Sequence, residues 1–328
     1  MVRPSQLSLR GLEVFLLAAR SGSIKAVAEE TGLAPSTVSH HLRSLEDALG
    51  LALIDHARRP LALTQQGALL LPYVEGALGL LDRAQLAVVS GDLAETRALR
   101  LALIEDFDSE IAPEMARLLA AGMPRCDFAH LTRPSHEIID LIRKRELDVG
   151  IASRPEFDVE DLVMRPLLRD PFVLAVPAGA GHAAESYLGG AVALPLLRYS
   201  PRHFIGARIE AQLRRMRVSV PHRFAFESNQ SLLGLVAEGQ GWAITTPTNY
   251  ARAQRFQPGI RLLPFPGRGF ARYVCVFTAP GYNAQVRDFI AAALRRLIQS
   301  RIIDPMVARM EWLSAGFHLE HAPPEIDA

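Results

Sequence analysis

Residues 24–49, IKAVAEETGLAPSTVSHHLRSLEDAL, spell two short amphipathic helices joined by a tight turn. Ile24, Val27, Ala28 and Thr31 recur at i, i+3, i+4 and i+7, which is one face of a helix. Ser23 stands where an N-cap oxygen is wanted, and Gly32 supplies the C-terminal stop. Leu33-Ala34 fills the turn, and Pro35 suits a first helical position, where the missing N–H has no partner anyway. Val38, Leu42, Leu45 and Leu49 make the buried stripe of the second helix. Ser36, His40 and Arg43 fall nearly opposite that stripe, with Thr37, Ser39 and Ser44 on its flanks. A helix–turn–helix lays such a face in the major groove of DNA. The plainer alternative is a helical hairpin whose outer face is only solvated.

The flanking sequence favours DNA. Leu12, Phe15, Leu16 and Ala19 mark a preceding helix that completes a three-helix core. After Gly50, the apolar run 51–54 and the run 61–63 flank a basic tip, Arg58-Arg59-Pro60, in the manner of a β-wing that straddles a phosphate backbone. With these residues in order, together with Gly22-Ser23, Ala28, Val38-Ser39, Leu45-Glu46, Leu49-Gly50, Leu63-Thr64 and Gly67, residues 9–89 resemble the DNA-binding end of a LysR-type transcriptional regulator. Three positions depart from that pattern. Thr31 replaces a leucine, Pro35 a polar residue and His56 an arginine. The last two bear on the DNA face. On this reading the DNA-binding residues are Ser23, Lys25, Ser36, Thr37, Ser39, His40, Arg43, Arg58 and Arg59.

The chain has 328 residues and a net charge of +1, so bulk electrostatics do not favour nucleic acid. DNA affinity must come from local placement of arginine and lysine, from helix N-termini, and from doubling in a dimer. No apolar run reaches transmembrane length and the N-terminus has no signal-peptide pattern, so no membrane is expected and the cytoplasm is the expected compartment. Cys126 and Cys275 are far apart, outside any metal-ligand spacing, and strand-like in context. Neither a metal nor a cofactor is expected.

Residues 65–89 read as one long helix. Leu70, Val74, Ala77, Leu81, Ala84 and Val88 alternate by four and three, a coiled-coil spacing that suggests a dimerisation seam, with Pro72 bending the helix near its start. A short linker over 90–97, broken at Gly91, follows. From residue 99 onward strands alternate with helices. Strands at 99–104, 128–131 and 148–152 enclose helices at 109–121 and from Pro134, a βαβαβ run that predicts a parallel sheet. Segments 162–168 and 172–177 cross to a second lobe of strands at 196–199, 223–227 and 242–246 with helices at 203–216 and 228–238. Strands at 260–265 and 273–278 lead back, closed by a helix over 283–302. The overall expectation is an α/β protein. An N-terminal winged helix–turn–helix (1–64) and a linker helix (65–91) precede a two-lobed effector domain (92–305) and a C-terminal extension (306–328). That effector domain resembles the periplasmic-binding-protein-like sensor of the LysR family through 147–151 (LDVGI) and 238–244 (EGQGWAI).

Ligands in such sheets sit outside the carboxyl ends of parallel strands, between lobes. That rule selects the loops 105–108, 134–136, 200–203 and 227–230. Three of them open helices, whose free N–H groups favour an anion. The expected effector residues are Asp106, Phe107, Ser135, His136, Ser200, Arg202, His203, Asn229 and Thr246. Arg202 could pair with a carboxylate, Asp106 could face an amine, and Phe107 could form an apolar wall. Asp106 is equally a solvated turn residue, and Ser135 equally a plain cap. The expected effector is thus a small organic acid or an amino acid. No GxSxG elbow, HExxH, Walker loop or GxGxxG follows a strand, so an enzyme is not indicated. The resemblance implies a homodimer assembling to a homotetramer on promoter DNA, with the effector shifting its arrangement.

Overall fold

The computed structural model describes residues 7–58, 60–89, 96–220 and 222–320. The chain forms two compact units that divide after residue 91. In the first, α1 (Leu9–Ser21), α2 (Ile24–Thr31) and α3 (Pro35–Leu49) bury Val14, Phe15, Val27, Val38, Leu42 and Leu45 against one another. Ser23 caps α2 by accepting from Ala26 N–H at 3.3 Å. Gly32 adopts φ 68°, the left-handed conformation that stops α2 and turns the chain toward Pro35 at the start of α3. β1 (Ile54–Asp55) and β2 (Ala62–Leu63) pair antiparallel as the expected wing.

α4 (Gln65–Val89) is the expected long helix and runs through Pro72 without a break. It starts tight against the wing, because a Cβ on Gly67 would lie 2.0 Å from the carbonyl oxygen of Leu53. The seam read from spacing is corrected here. Val74 is buried in the three-helix core and Leu70 packs on it, as do Leu71 and Leu78. The exposed apolar stripe is Leu69, Tyr73, Ala77 and Leu81, one residue out of register with the expected seam over its first two turns. The early turns of α4 therefore complete the DNA-binding core rather than forming a separate segment at 65. Side chains of Ala84 and Val88, and the linker up to residue 95 including Gly91, lie outside the described residues.

In the second unit the chain runs through β3 (Ala98–Leu103), a 3-10 turn at Glu105–Phe107, α5 (Ala112–Gly122), β4 (Asp127–Thr132), α6 (Ser135–Arg143) and β5 (Val149–Ser153). β6 (Val163–Pro171) and β7 (Val173–Pro177) pass to the other lobe. That lobe holds α7 (Ala184–Leu188), β8 (Leu196–Tyr199), α8 (Phe204–Arg215), β9 (His222–Phe226), α9 (Asn229–Ala237), β10 (Ala243–Thr245), α10 (Pro247–Arg252) and β11 (Ile260–Pro264). β12 (Ala271–Thr278) returns, followed by α11 (Ala284–Ile298), α12 (Asp304–Arg309) and β13 (His318–Leu319). The first lobe has the sheet order β13-β6-β12-β5-β3-β4. Its parallel part is β4-β3-β5, as expected, but the returning β12 and β6 pair antiparallel, so the sheet is mixed. The second lobe has parallel β8-β9 and antiparallel β10-β7-β11.

Two further readings change. The helix expected from 109 begins at Ala112, since Pro113 is tolerated only in a first turn. The domain boundary drawn at 305 also shifts, because the extension that follows it packs on the first lobe. β13 pairs with β6, Arg169 donates to Gly316 O at 2.6 Å, and Met306, Leu313 and Phe317 are buried. It covers the β6 edge, which would otherwise present unpaired backbone groups. Residues 321–328, with Pro323-Pro324, lie outside the described residues. Phe317→Ala should cost about 3–5 kcal/mol in urea unfolding of the full chain, as for a core aromatic. A change near zero would show that the segment is not part of the lobe.

Candidate functional site

The outer face of α3 matches its expected chemistry. Ser36, His40 and Arg43 are exposed, and Thr37 and Ser39 are half-buried on the flanks. Ser39 donates back to Pro35 O at 3.0 Å, the i−4 bond that serine makes in helices. Lys25 is exposed on α2, while the oxygen of Ser23 is engaged in its cap. On the wing, Arg58 is exposed and pairs with Asp55 at 3.3 Å. Arg59 lies outside the described residues.

Glu46 anchors the wing to α3. One carboxylate oxygen accepts from Leu53 N–H at 2.8 Å and Ile54 N–H at 3.1 Å, and the other meets His56 Nε2 at 3.0 Å. Burial works against the charge, but His56 and the two backbone donors hold this carboxyl below its ordinary value. The unusual histidine at 56 thus has a clear structural task.

Between the lobes lies a cleft of about 240 Å³. All four loops selected by the strand-end rule contribute to it, through Glu105 and Asp106, Pro134 and Ser135, His203, and Glu227 and Asn229. The N-termini of α6 and α8 open onto it without side-chain caps. Their first N–H groups have no partner inside the helix and carry the positive end of the dipole. Ser135 Oγ accepts from Ser153 N–H at 3.0 Å, which ties α6 to β5. Burial holds the His203 imidazole below its ordinary value, against the pull of Glu227, so it faces the cleft uncharged near neutral pH.

The floor is an ion cluster that sequence reasoning missed. Arg272, from β12, donates to Asp170 through Nε at 2.9 Å and Nη2 at 2.7 Å, and to Thr246 Oγ1 at 3.1 Å. It also pairs with Asp106. Burial opposes the charge on Arg272, yet the carboxylates of Asp106 and Asp170 outweigh it and raise its pKa. With its amide nitrogen turned to Asp106, Asn249 donates to both carboxylate oxygens at 3.0 and 3.2 Å. Behind it, Tyr199 donates to Asn229 Oδ1 at 2.6 Å. A second tie joins the same loop to the far lobe. Arg252 of α10 grips Asp108 at 2.8 and 3.0 Å and Glu105 at 2.9 Å.

Several expected effector contacts are corrected by this geometry. Asp106 is satisfied by Arg272 and Asn249, so it is neither a solvated turn residue nor a free partner for an amine. Phe107 is fully buried in the first lobe, rotated inward by the 3-10 turn, and forms no cleft wall. Ser200 is buried and accepts from Arg202 N–H at 3.4 Å, shaping a turn outside the cleft lining. Thr246 sits fully buried behind Arg272 and caps α10. His136 is beside the lining, its ring 6.0 Å from His203 and 6.2 Å from Phe204. Arg202 faces a neighbouring chamber instead. Ser135, His203 and Asn229 line the cleft as expected. The signal that pointed to Arg272 was available, since a lone arginine opening an apolar strand must find a buried counter-charge.

Cys275 is buried, and that burial pushes its thiol up to about 12. Burial and then Asp127 raise the Cys126 thiol as well. Neither has the lowered pKa of a peroxide-reactive thiol.

A winged helix–turn–helix followed by a two-lobed domain with an interlobe cleft defines a ligand-responsive DNA-binding regulator. Residues 9–68 match the bacterial regulatory helix-turn-helix protein, lysR family, and residues 94–298 match the LysR substrate binding domain. The chain belongs to the LysR family of transcriptional regulators. It is 29% identical over 175 residues to a probable hydrogen peroxide-inducible genes activator of Mycobacterium leprae, covering 53% of this chain and 56% of that relative. Over 255 residues it is 26% identical to YusT, an uncharacterized HTH-type transcriptional regulator of Bacillus subtilis, covering 78% and 84%. Among solved structures, it shares its fold with a hydrogen-peroxide-bound OxyR mutant of Corynebacterium glutamicum, at TM-score 0.55 and 18% identity over 93% of this chain and 96% of that one. Full-length BenM is similar at TM-score 0.52 and 16% identity, covering 89% and 97%. No helix among the described residues is long and apolar enough to cross a membrane.

Arg272→Met should be severe, since it leaves Asp170 buried without a counter-charge. The expected loss is about 3–5 kcal/mol in chemical unfolding of the full chain. A loss under about 1 kcal/mol would mean that the cluster does not hold the floor together.

Proposed function

We propose that this regulator binds a partly palindromic promoter site in the cytoplasm as a homodimer or homotetramer. Ser36, Thr37, Ser39 and His40 then read base edges, while Lys25, Arg43, Arg58 and Arg59 contact phosphates. Ser23 fixes the first turn of α2 near the backbone. The observation that carries this reading is the polar, exposed outer face of α3, opposite the buried stripe of Val38, Leu42 and Leu45. The exposed stripe Leu69, Tyr73, Ala77 and Leu81 is the surface offered for pairing the α4 helices.

The proposed effector is a small organic acid or amino acid whose carboxylate lies at the N-termini of α6 and α8, near Ser135 and His203. Glu227, rather than Asp106, decides between the two classes. It lines the cleft and makes no ion pair among the described residues, so it is the carboxylate available to an amine. The effector shifts the lobes only by its differential affinity for their arrangements.

Titration of labelled promoter DNA by anisotropy tests the first part. Arg43→Ala should weaken binding to all sequences and flatten the salt dependence by about one counterion. Ser36→Ala or His40→Ala should relax sequence preference instead, by about 1–3 kcal/mol per lost base contact. If neither class of variant changed the titration, α3 would not be the reading helix. Thermal melting of the full chain against a panel of amino acids and plain carboxylates tests the second part. A binder at 100 times its dissociation constant should add about 2.7 kcal/mol. Glu227→Gln should remove the response to amine-bearing ligands and spare plain acids. Stabilisation by neutral or cationic compounds alone would rule out the carboxylate site.

A further inference from the structure

A second chamber, of about 310 Å³, adjoins the cleft and shares Ser153, Phe204, Ile205 and Arg272 with it. Its composition is quite different. The walls are Pro155, Phe157, Pro201, Phe204 and Ile205, and the charged groups are Arg154, Arg202 and Arg208 against a single acid, Glu156, with Arg272 already compensated by Asp106 and Asp170. The inner cleft, by contrast, carries Glu105, Asp106 and Glu227. Phe204 and Ile205, on the first turn of α8, stand between the two.

The aromatic wall is held in place rather than loose. Phe157 is 49% exposed, a large apolar surface for a polar rim. Yet its ring meets Phe204 edge-on at 5.8 Å, and the Arg143 guanidinium lies 5.6 Å over it. Arg143 is itself fixed by two bonds to Asp161 at 2.7 and 2.9 Å. Arg154 and Arg208 have interactions of their own. Arg202 is exposed at the chamber's edge and makes no ion pair among the described residues.

From this juxtaposition we infer that the second chamber binds an aromatic ring bearing an anionic group, with the ring against Phe157 and Phe204 and the anion at Arg202. The apolar walls supply the burial, and a guanidinium supplies a charge-assisted contact. The inference shares with the functional reading only the interlobe cleft. It does not require the inner chamber to be filled.

The test is a fluorescence titration of the full chain with 8-anilinonaphthalene-1-sulfonate, an aromatic anion charged at all working pH values. Naphthalene-1-sulfonate should displace it, whereas methanesulfonate and neutral 1-naphthol should each be at least about tenfold weaker competitors. Phe157→Ser and Arg202→Gln, both at exposed positions, should each raise the probe's dissociation constant about tenfold. Arg202→Lys should recover part of the loss. Ser135→Ala and Glu227→Gln, in the inner cleft, should leave the probe's affinity within about twofold of the parent chain. The inference is overturned if the probe does not bind or if Phe157→Ser and Arg202→Gln bind it as the parent does. Equal displacement by methanesulfonate would overturn it too. The inner site is scored separately by the melting panel, so failure of either reading leaves the other standing.

Discussion

Arg272 is a full positive charge sealed inside the second unit, and the interlobe architecture depends on how that charge is met. A buried guanidinium is tolerable only when its donors are saturated by well-placed carboxylates. Here the partners come from separate parts of the chain. Asp170 ends the strand that leaves the first lobe, Asp106 lies in the loop after β3, and Thr246 opens α10 of the second lobe. One side chain thus holds the crossover strand, a cleft loop and the opposite lobe in mutual register. Arg252 repeats the device from the other side, reaching from α10 to Asp108 and Glu105. The loop 105–108 is therefore an interlobe fastening first. Each of its three carboxylates already has an arginine partner, so little of the loop is left to a ligand.

That priority explains which parts of the site could be read from sequence. The four loops were legible because they follow from strand ends, and strand ends follow from local periodicity. The individual contacts were not. Arg272 meets Asp106 across 166 residues and Asp170 across 102, separations at which no spacing rule connects an arginine to its partner. Phe107 looked like a wall because it lies in the right loop. A three-residue 3-10 turn then rotates it into the core, a change of direction that the residue order does not reveal. His203 and Asn229 line the cleft because each sits at a helix start, although the Asn229 amide is taken up by Tyr199 and Asn249.

The same distinction runs through the DNA-binding unit. The three helices, their caps and the wing follow directly from the 3.6-residue period and from glycine, proline and serine at element ends. The α4 seam shows the limit of that approach. Neighbouring residues on a helix differ by 100°, so Leu69 and Leu70 are both plausible members of a stripe. Tertiary packing decides between them. The three-helix core needs Val74 and Leu70 to close it, and the free surface moves to Leu69 and Tyr73. Spacing identifies that a face exists, but competition between two hydrophobic partners determines which face remains.

Charge distribution supplies the last link between structure and role. A chain of net charge +1 does not attract DNA as a whole, and its interlobe floor carries one arginine between two carboxylates. What distinguishes its surfaces is local imbalance. Lys25, Arg43 and Arg58 are exposed on one unit, and in the other an acid-rich inner cleft adjoins an arginine-rich, aromatic chamber. On the proposed reading, an anion entering the inner cleft meets helix N-termini but also Glu227, so it binds well only if it presents a compensating group to that carboxylate. On that reading the cleft selects through Glu227 as well as through its helix ends, because a ligand lacking the matching pole brings its own negative charge against that carboxylate.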